Sequence, residues 1–184
     1  MRVFIAIELP DEIKAALMAL QDDLRQTRAD VAWTKPENFH LTIKFLGEVE
    51  ANQIAAITNA CVDAAASVDS FVLGVKTTGV FPNLKQPKVL WASVAGELEK
   101  LQSLHRQLEA NLHALGFAKE ARAFNPHLTL GRVKSLKNVA AVTAKLLMAE
   151  LPELSFTASE LIVMQSQLHP AGSIYTPLAK CNFR

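Results

Sequence analysis

With 184 residues, of which half are apolar and a fifth charged, the chain is long enough for one domain, or for two small packed lobes, with a sizeable core. The apolar fraction excludes a mostly disordered chain, and 19 basic against 18 acidic residues exclude a generic polyanion binder, which needs a large basic excess. Cys61 and Cys181 lie far apart in sequence and provide neither a disulfide framework nor a zinc cluster. No apolar stretch approaches the roughly 20 residues that span a bilayer, so we expect a soluble, cytoplasmic protein.

The hydrophobic pattern predicts alternating strands and helices. Runs of β-branched and aromatic residues predict strands at 3–7, 40–46, 71–75, 89–94, 128–133 and 161–164. Apolar residues at helical spacing predict helices over 10–24, 51–68, 98–115 and 138–150. The prolines of segment 79–88 disfavour regular pairing and predict a loop, and the tail around 175–178 is expected to pair as an edge.

The order strand–helix–strand–helix–strand occurs twice. An offset of 87 residues carries His40 onto His127 and Asn38 onto Asn125, and the segments around the two histidines align without a gap. We therefore predict an internal duplication of an α+β unit of ~90 residues. Two such units, related by an approximate two-fold axis, are expected to face each other across a cleft as lobes of one domain, residues 1–184.

Each predicted repeat carries a His-x-Thr motif within a strand. Because side chains alternate between the faces of a strand, His40 and Thr42 point the same way, as do His127 and Thr129. A single motif of this kind is weak evidence, since most examples are ordinary half-buried strands. Two copies at matching repeat positions favour a functional pair, with a duplicated structural strand as the alternative.

Two imidazoles and two hydroxyls suit in-line displacement at phosphorus. One neutral and one protonated imidazole provide a general base and a general acid, and hydroxyls donate hydrogen bonds to oxygens that gain charge. A metal site is disfavoured because no Asp or Glu lies within two residues of His127 and threonine is a poor zinc ligand. The sequence also lacks the G-x-S-x-G motif of serine hydrolases and the phosphate-binding loop of nucleotide triphosphatases.

The two His-Leu-Thr-hydrophobic motifs resemble those of the two-histidine (2H) phosphoesterases. Within that superfamily the chain resembles the RNA 2′,3′-cyclic phosphodiesterases, also called 2′-5′ RNA ligases. The resemblance extends along nearly the whole chain and is carried by segments 2–10, 36–47, 80–82, 89–92, 124–132 and 166–175.

This resemblance implies a bilobed α+β fold in which two antiparallel sheets face a central cleft and the helices lie outside. It implies that His40, Thr42, His127 and Thr129 line the cleft, with the threonines binding phosphate. The implied reaction is hydrolysis of a 2′,3′-cyclic phosphate at an RNA 3′ end to a 2′-phosphate, without metal or cofactor. By analogy, His40 protonates the departing 3′ oxygen and His127 activates water.

The same family joins RNA ends through a 2′-5′ linkage, and a cyclic phosphate is an activated ester that needs no ATP for this step. We expect hydrolysis to dominate in dilute solution, and we expect a monomer. Two alternatives stay open: a phosphodiesterase for a small nucleoside or ADP-ribose cyclic phosphate, and a non-catalytic protein that binds RNA ends.

Residues just after the motifs are candidates for substrate contacts. Arg132 can hold a phosphate by two hydrogen bonds, and Phe45, at the matching place in the first repeat, can stack on a nucleobase. The alternatives are a solvated strand end for Arg132 and a core aromatic for Phe45. Strict alternation places Lys44 on the same face as His40, where it adds positive potential or is exposed to solvent.

Other polar and aromatic residues are assigned structural roles by default. The loop that carries Phe81, Lys85 and Lys88 is expected to be an exposed connector, with an RNA-contacting lip as the alternative. Tyr175 is expected to pack with its hydroxyl hydrogen-bonded.

Overall fold

The computed structural model describes residues 1–170 and 172–184, which form helices and strands in the predicted alternating order. In chain order they are β1 (Arg2–Glu8), α1 (Asp11–Arg25), β2 (Val31–Trp33), β3 (His40–Glu48), α2 (Ile54–Ala65), β4 (Phe71–Phe81), β5 (Val89–Gly96), α3 (Leu98–Ala114), β6 (His127–Val133), α4 (Val139–Leu147), β7 (Ser155–Ala158), β8 (Glu160–Gln167) and β9 (Ile174–Asn182). No helix in this part of the chain is long and apolar enough to cross a membrane.

The structure contains every predicted helix and strand and adds to them. The short strands β2 and β7 have three and four residues, too few for a periodic pattern to be recognised. Strand β4 continues into the segment predicted to be a loop, because Phe81 still pairs with Val89 and the first proline, Pro82, follows the last paired residue. The loop between β4 and β5 is therefore shorter than expected.

The strands form two antiparallel sheets, in the orders β3-β1-β8-β9 and β2-β6-β5-β4-β7. The offset of 87 residues carries β3 onto β6 and β1 onto β5, and it relates β4 to β8. Equivalent strands therefore have the same order in the two sheets. This topology agrees with the predicted duplication of an α+β unit and confirms the predicted fold class. The expectation that each unit forms one lobe is wrong, because the repeats exchange a strand: β4 of the first repeat pairs with β5, and β8 of the second pairs with β1.

The first helix of each repeat packs against elements of the other repeat; we call each sheet with the helices that cover it a lobe. Helix α1 contacts α4, and its Gln21 donates a hydrogen bond to the Leu130 carbonyl of β6. Helix α3 packs on α2, and its Glu109 forms an ion pair with Lys44 of β3. Buried apolar residues of both sheets also belong to one continuous core. Because each lobe needs a helix from the other repeat, we propose that residues 1–184 fold as a single bilobed domain.

The two cysteines are neighbours in the fold although they are distant in sequence. Cys61 on α2 and Cys181 on β9 are both buried free thiols. The Cys181 thiol donates a hydrogen bond of 3.9 Å to the carbonyl oxygen of Thr58, which lies on α2 with Cys61.

Gln21 is a buried polar residue that links α1 to β6. The residue is 1% exposed, and its side-chain amide donates hydrogen bonds of 2.8 Å to the carbonyls of Thr34 and Leu130. These bonds satisfy backbone acceptors next to the second His-x-Thr motif. Burial of such a group is tolerated only because it is hydrogen-bonded.

The substitution Gln21→Met keeps side-chain volume and removes both donors. We expect it to lower the free energy of unfolding by about 1–3 kcal/mol, because buried carbonyls lose a partner. Urea denaturation measures this change. The exposed Gln107→Met on α3 is the control and should stay within about 0.5 kcal/mol of wild type. Equal stability of the two variants would contradict this account.

Candidate active site

The two His-x-Thr motifs meet at one cleft between the sheets. Strand β3 supplies His40 and Thr42, and β6 supplies His127 and Thr129. The cleft has a volume of about 130 Å³, and its other lining residues are Thr34, Asn38, Phe45, Arg132 and Tyr175. The structure therefore brings together all six site residues predicted from the sequence. Their chemical roles remain predictions.

Strand alternation explains how the motifs reach the cleft. In β3, Leu41 is fully buried in the core, whereas His40 and Thr42 on either side of it are half-buried. Strand β6 repeats this pattern, with Leu128 buried between the half-buried His127 and Thr129. The leucine of each motif anchors its strand in the core, and the polar pair is thereby held towards the cleft.

His40 is held by hydrogen bonds within its own motif. Its Nε2 lies 2.9 Å from Oγ1 of Thr42, and the ring also interacts with the backbone of Asn38. The Tyr175 ring meets it edge-on at 5.2 Å between centroids, and the Phe4 ring lies tilted at 4.8 Å. The imidazole is thus oriented by polar contacts and enclosed by aromatic side chains.

His127 has an equivalent backbone contact. Its Nδ1 lies 2.8 Å from the carbonyl oxygen of Asn125, and because a carbonyl only accepts, Nδ1 carries the proton and donates it. The Nε2 atom of a neutral ring is then left with its lone pair. Phe81 meets the ring edge-on at 5.0 Å. This tautomer is the one that accepts a proton at Nε2.

The environment of His40 opposes a positive charge. Burial, the largest effect, lowers the pKa of His40 from its usual 6.5 to about 4; the backbone contact with Asn38 raises it and the charge of Lys14 lowers it further. In the free protein the His40 ring is therefore neutral near neutral pH. Any role for its protonated form requires a negatively charged ligand in the cleft.

A β-bulge after each motif turns the next side chain towards the cleft. In β3, Lys44 pairs with Ile5 and Thr42 with Ala6, so the residue between Thr42 and Lys44 is extra. Phe45 then returns to the cleft side, where it is 68% exposed. It is therefore not a core aromatic residue. A bulge inserts one residue and reverses the alternation beyond it.

Strand β6 repeats the bulge at the matching place. Leu90 pairs with Gly131 and Trp91 with Thr129, which leaves Leu130 extra. Arg132 consequently lies on the cleft side and lines the same cavity as Phe45. Phe45 and Arg132 are separated by 87 residues, the same offset as the two histidines.

The placement of Lys44 on the cleft face is wrong. Because of the bulge, its side chain enters the opposite side of β3, where it is 6% exposed. Its ammonium group forms an ion pair with Glu109 and donates a hydrogen bond of 2.9 Å to the Ala118 carbonyl. Lys44 therefore links β3 to α3 and to the segment that follows α3.

Tyr175 takes part in the site, which the sequence did not indicate. Its ring packs against Phe4 at 4.9 Å and against His40, and Phe4 lies 5.8 Å from Phe45. These aromatic residues come from three strands of one sheet. The alternation of β9 gave no cue, because Tyr175 lies at the start of an edge strand whose register the sequence does not specify.

The last residue of β4 contacts the second motif. Phe81 packs between His127 and Trp91, with ring centroids 5.0 Å from each. Lys85 and Lys88 are exposed and do not line the cleft. The structure therefore places the aromatic residue of this segment at the site and leaves the lysines on the surface.

The lining of the cleft suits an anion. No carboxylate is present among its described lining residues, whereas the Arg132 guanidinium, two imidazoles and the hydroxyls of three threonines and Tyr175 are. Among the described residues, 1–170 and 172–184, there is no group of three or more His, Cys, Asp or Glu side chains arranged to hold a metal ion. The donor set fits phosphate oxygens rather than a cation.

The low pKa of His40 predicts a loss of stability in acid. Between pH 6.5 and about 4 the unfolded chain binds a proton at His40 that the folded protein does not, so stability falls as pH decreases through this window. His40→Asn should remove up to about 3 kcal/mol of this pH dependence. Urea denaturation at several pH values measures it. The exposed His113→Asn is the control, and equal pH dependence in both variants would refute the assignment.

Comparison with known families supports the motifs. The family model described as LigT like Phosphoesterase matches twice, at residues 7–91 and 94–175. The two matches begin 87 residues apart, which is the repeat offset found in the sequence. The family model thus matches each of the two predicted repeats separately.

Curated relatives cover the whole chain. A protein of Methanothermobacter thermautotrophicus named RNA 2′,3′-cyclic phosphodiesterase is 34% identical over 180 residues, covering 96% of this chain and 96% of the relative. A protein of Thermotoga maritima with the same name is 32% identical over 183 residues, covering 100% and 96%.

Solved structures have the same fold. The crystal structure of TT0787 of Thermus thermophilus matches with a TM-score of 0.82 and 28% identity, covering 100% of this chain and 98% of that one. Escherichia coli LigT complexed with 3′-AMP matches with a TM-score of 0.76 and 24% identity, covering 99% and 97%, and supports the fold alone. Together with the paired motifs, these matches establish that the chain belongs to the LigT-like phosphoesterase family, a branch of the two-histidine phosphoesterases.

Proposed function

We propose that this protein hydrolyses 2′,3′-cyclic phosphates at RNA 3′ ends to 2′-phosphomonoesters, without a metal ion or cofactor. The observation that carries the proposal is the cleft itself, in which two His-Thr pairs from equivalent strands face an anion-compatible space. The name of the curated relatives, RNA 2′,3′-cyclic phosphodiesterase, supports the choice of substrate.

The reaction breaks one ester bond of the cyclic phosphate. A water oxygen attacks phosphorus and transfers its proton to one imidazole, while the bond between phosphorus and O3′ breaks and O3′ receives a proton from the other imidazole. The product keeps the phosphate on O2′ and carries a free 3′ hydroxyl. Proton exchange with solvent then restores both rings.

Hydroxyl and guanidinium groups stabilise the negative charge that develops on the phosphate oxygens. Thr42 and Thr129 lie beside the two histidines and donate to the non-bridging oxygens. Arg132 adds a guanidinium on the second sheet, where it can form two parallel hydrogen bonds to phosphate. Thr42 also contacts Nε2 of His40 in the free protein, so substrate binding exchanges that contact for one to phosphate.

In this proposal the family resemblance decides which histidine is the general base and which is the general acid. His127 has a free Nε2 lone pair when neutral and accepts the proton from water. His40 donates to O3′, although its pKa of about 4 makes it neutral in the free protein. A bound phosphodiester places negative charge beside the ring and raises its pKa, so the acid forms only in the complex.

Joining of RNA ends requires only a different nucleophile. A 5′ hydroxyl that replaces water attacks the same phosphorus, and loss of O3′ then leaves a 2′-5′ linkage. The cyclic phosphate supplies the activated ester, so no ATP is consumed. Hydrolysis dominates in dilute solution because water greatly outnumbers RNA hydroxyls.

Removal of either histidine is expected to stop turnover. His40→Ala and His127→Ala should each lower kcat by at least about 100-fold on an RNA ending in 2′,3′-cyclic phosphate, because each removes an acid or base. Product identity is read by separating 2′- from 3′-phosphate ends. His113→Ala, on the exposed face of α3, is the matched control. The mechanism would be refuted if either cleft variant turned over substrate as fast as the wild-type protein. It would also be refuted if a chelator abolished the activity of the wild-type protein.

A sulfur substitution distinguishes acid from base. In a substrate whose 3′ bridging oxygen is replaced by sulfur, the leaving thiolate needs no proton, so loss of the general acid matters little. We expect this substrate to restore turnover to His40→Ala and not to His127→Ala. The opposite pattern would exchange the two roles while keeping the pair, and rescue of neither would contradict general acid catalysis.

A further inference from the structure

A second pocket adjoins the cleft on the side away from the histidines. It has a volume of about 270 Å³, and Phe45, Arg132 and Tyr175 line both this outer pocket and the cleft. Arg2 and Ser166 line the outer pocket only. The two cavities therefore share a wall of two aromatic rings and one guanidinium, and a ligand can extend from one into the other.

Strand β1 carries the outer pocket's second guanidinium. Val3 and Ile5 point into the core, so Arg2 and Phe4 point to the cleft side of the same sheet. Arg2 pairs across to Ser166 of β8, and both residues line the outer pocket. This gives the outer pocket one cationic and one neutral donor on adjacent strands.

Arg2 is too far along the sheet to serve the reacting phosphate. It lies four residues from Ala6, which pairs with Thr42, and four residues of strand span about 13 Å. The aromatic residues Phe4, Phe45 and Tyr175 occupy the interval. The surface therefore runs from the histidines, across a stacking platform, to a separate cationic position.

The charge of Arg2 is available to a ligand. Its guanidinium forms no ion pair with a carboxylate in the described part of the chain, and the side chain is exposed. Glu48, its cross-strand neighbour, is instead paired with the N-terminal ammonium group at 3.3 Å. No carboxylate is among the described residues that line the outer pocket.

We propose that the outer pocket binds the phosphate on the 5′ oxygen of the terminal nucleotide, the group that joins this nucleotide to the rest of an RNA. This inference rests on the proposed function, because the cyclic phosphate fixes where the terminal ribose lies. The nucleoside then lies on the wall formed by Phe45 and Tyr175, and Arg2 and Ser166 donate hydrogen bonds to the 5′ phosphate.

The proposal distinguishes RNA ends from small cyclic phosphates. A nucleoside 2′,3′-cyclic phosphate lacks the 5′ phosphate and leaves the outer pocket empty, whereas a 5′-phosphorylated nucleoside cyclic phosphate fills it with a phosphomonoester. A dinucleotide ending in a cyclic phosphate fills it with a phosphodiester. We therefore expect a higher kcat/KM for the latter two substrates, with most of the gain present in the 5′-phosphorylated nucleoside.

Kinetics on these three substrates with Arg2 variants tests the proposal. Arg2→Gln should lower the ratio of kcat/KM between dinucleotide and nucleoside substrates by about fivefold to tenfold, the effect of one charge-assisted hydrogen bond at an exposed site. Arg2→Lys should keep more of the ratio, because it retains charge without the planar fork. Arg106→Gln, exposed on α3 and outside both pockets, is the control and should keep the wild-type ratio.

The outcomes separate the two levels of inference. Equal kcat/KM of wild type on all three substrates would overturn the outer pocket while leaving the phosphodiesterase proposal intact. A preference that persists in Arg2→Gln would overturn the assignment of Arg2. Absence of turnover on every substrate would overturn the proposed function and this inference with it.

The salt dependence gives a second readout. Each neutralised phosphate of a single strand contributes a slope of about −0.7 to the logarithm of affinity against the logarithm of salt concentration. Arg2→Gln should therefore flatten the slope for dinucleotide binding by about this amount, whereas Arg106→Gln should not. An unchanged slope in Arg2→Gln would contradict phosphate binding at Arg2.

Discussion

The one inserted residue that directly follows each motif determines which side chains reach the cleft. Without the bulges in β3 and β6, alternation would direct Lys44 and Gly131 towards the cleft and would bury Phe45 and Arg132 on the core side. With them, each strand presents a histidine, a threonine and then a third, variable side chain on one surface. A bulge also increases the local twist of its strand. The choice of ligand by the site depends on these two irregularities.

Both bulges are held by polar groups from the helix of the other repeat. Gln21 of α1 binds the carbonyl of Leu130, the extra residue of β6. Glu109 of α3 pairs with Lys44 beside the β3 bulge and also accepts the backbone N–H of Glu120. A buried ion pair gains little net free energy over an apolar pair of similar volume. Its directional contacts nevertheless fix where β3 lies relative to the segment that leads into the second motif.

The sequence was sufficient for the repeat, the fold class and the four motif residues. These depend on strand alternation, on the constant offset between the repeats and on the duplicated His-Leu-Thr pattern, all of which can be recognised in the sequence without knowing the fold. The side of β3 to which Lys44 points could not be predicted. A single extra residue in the strand reverses the alternation beyond it, and the sequence contains no signal for that bulge. Tyr175 and Arg2 join the site only through strand pairing in the sheet β3-β1-β8-β9, which local sequence does not specify.

The crossed packing of α1 and α3 bears on how such a chain arose. A single ancestral unit would have lacked one of the two helices that cover its sheet, because α1 and α3 pack in the lobe of the other repeat, and it would have completed itself only as a symmetric pair with identical motifs on either side of the axis. Fusion of two copies removed the requirement for identity. Phe45 and Arg132, at equivalent positions, then diverged into an aromatic ring and a cation. That difference makes the two ends of the pocket chemically distinct. An asymmetric molecule such as a nucleotide therefore has one favoured orientation between two nearly identical halves.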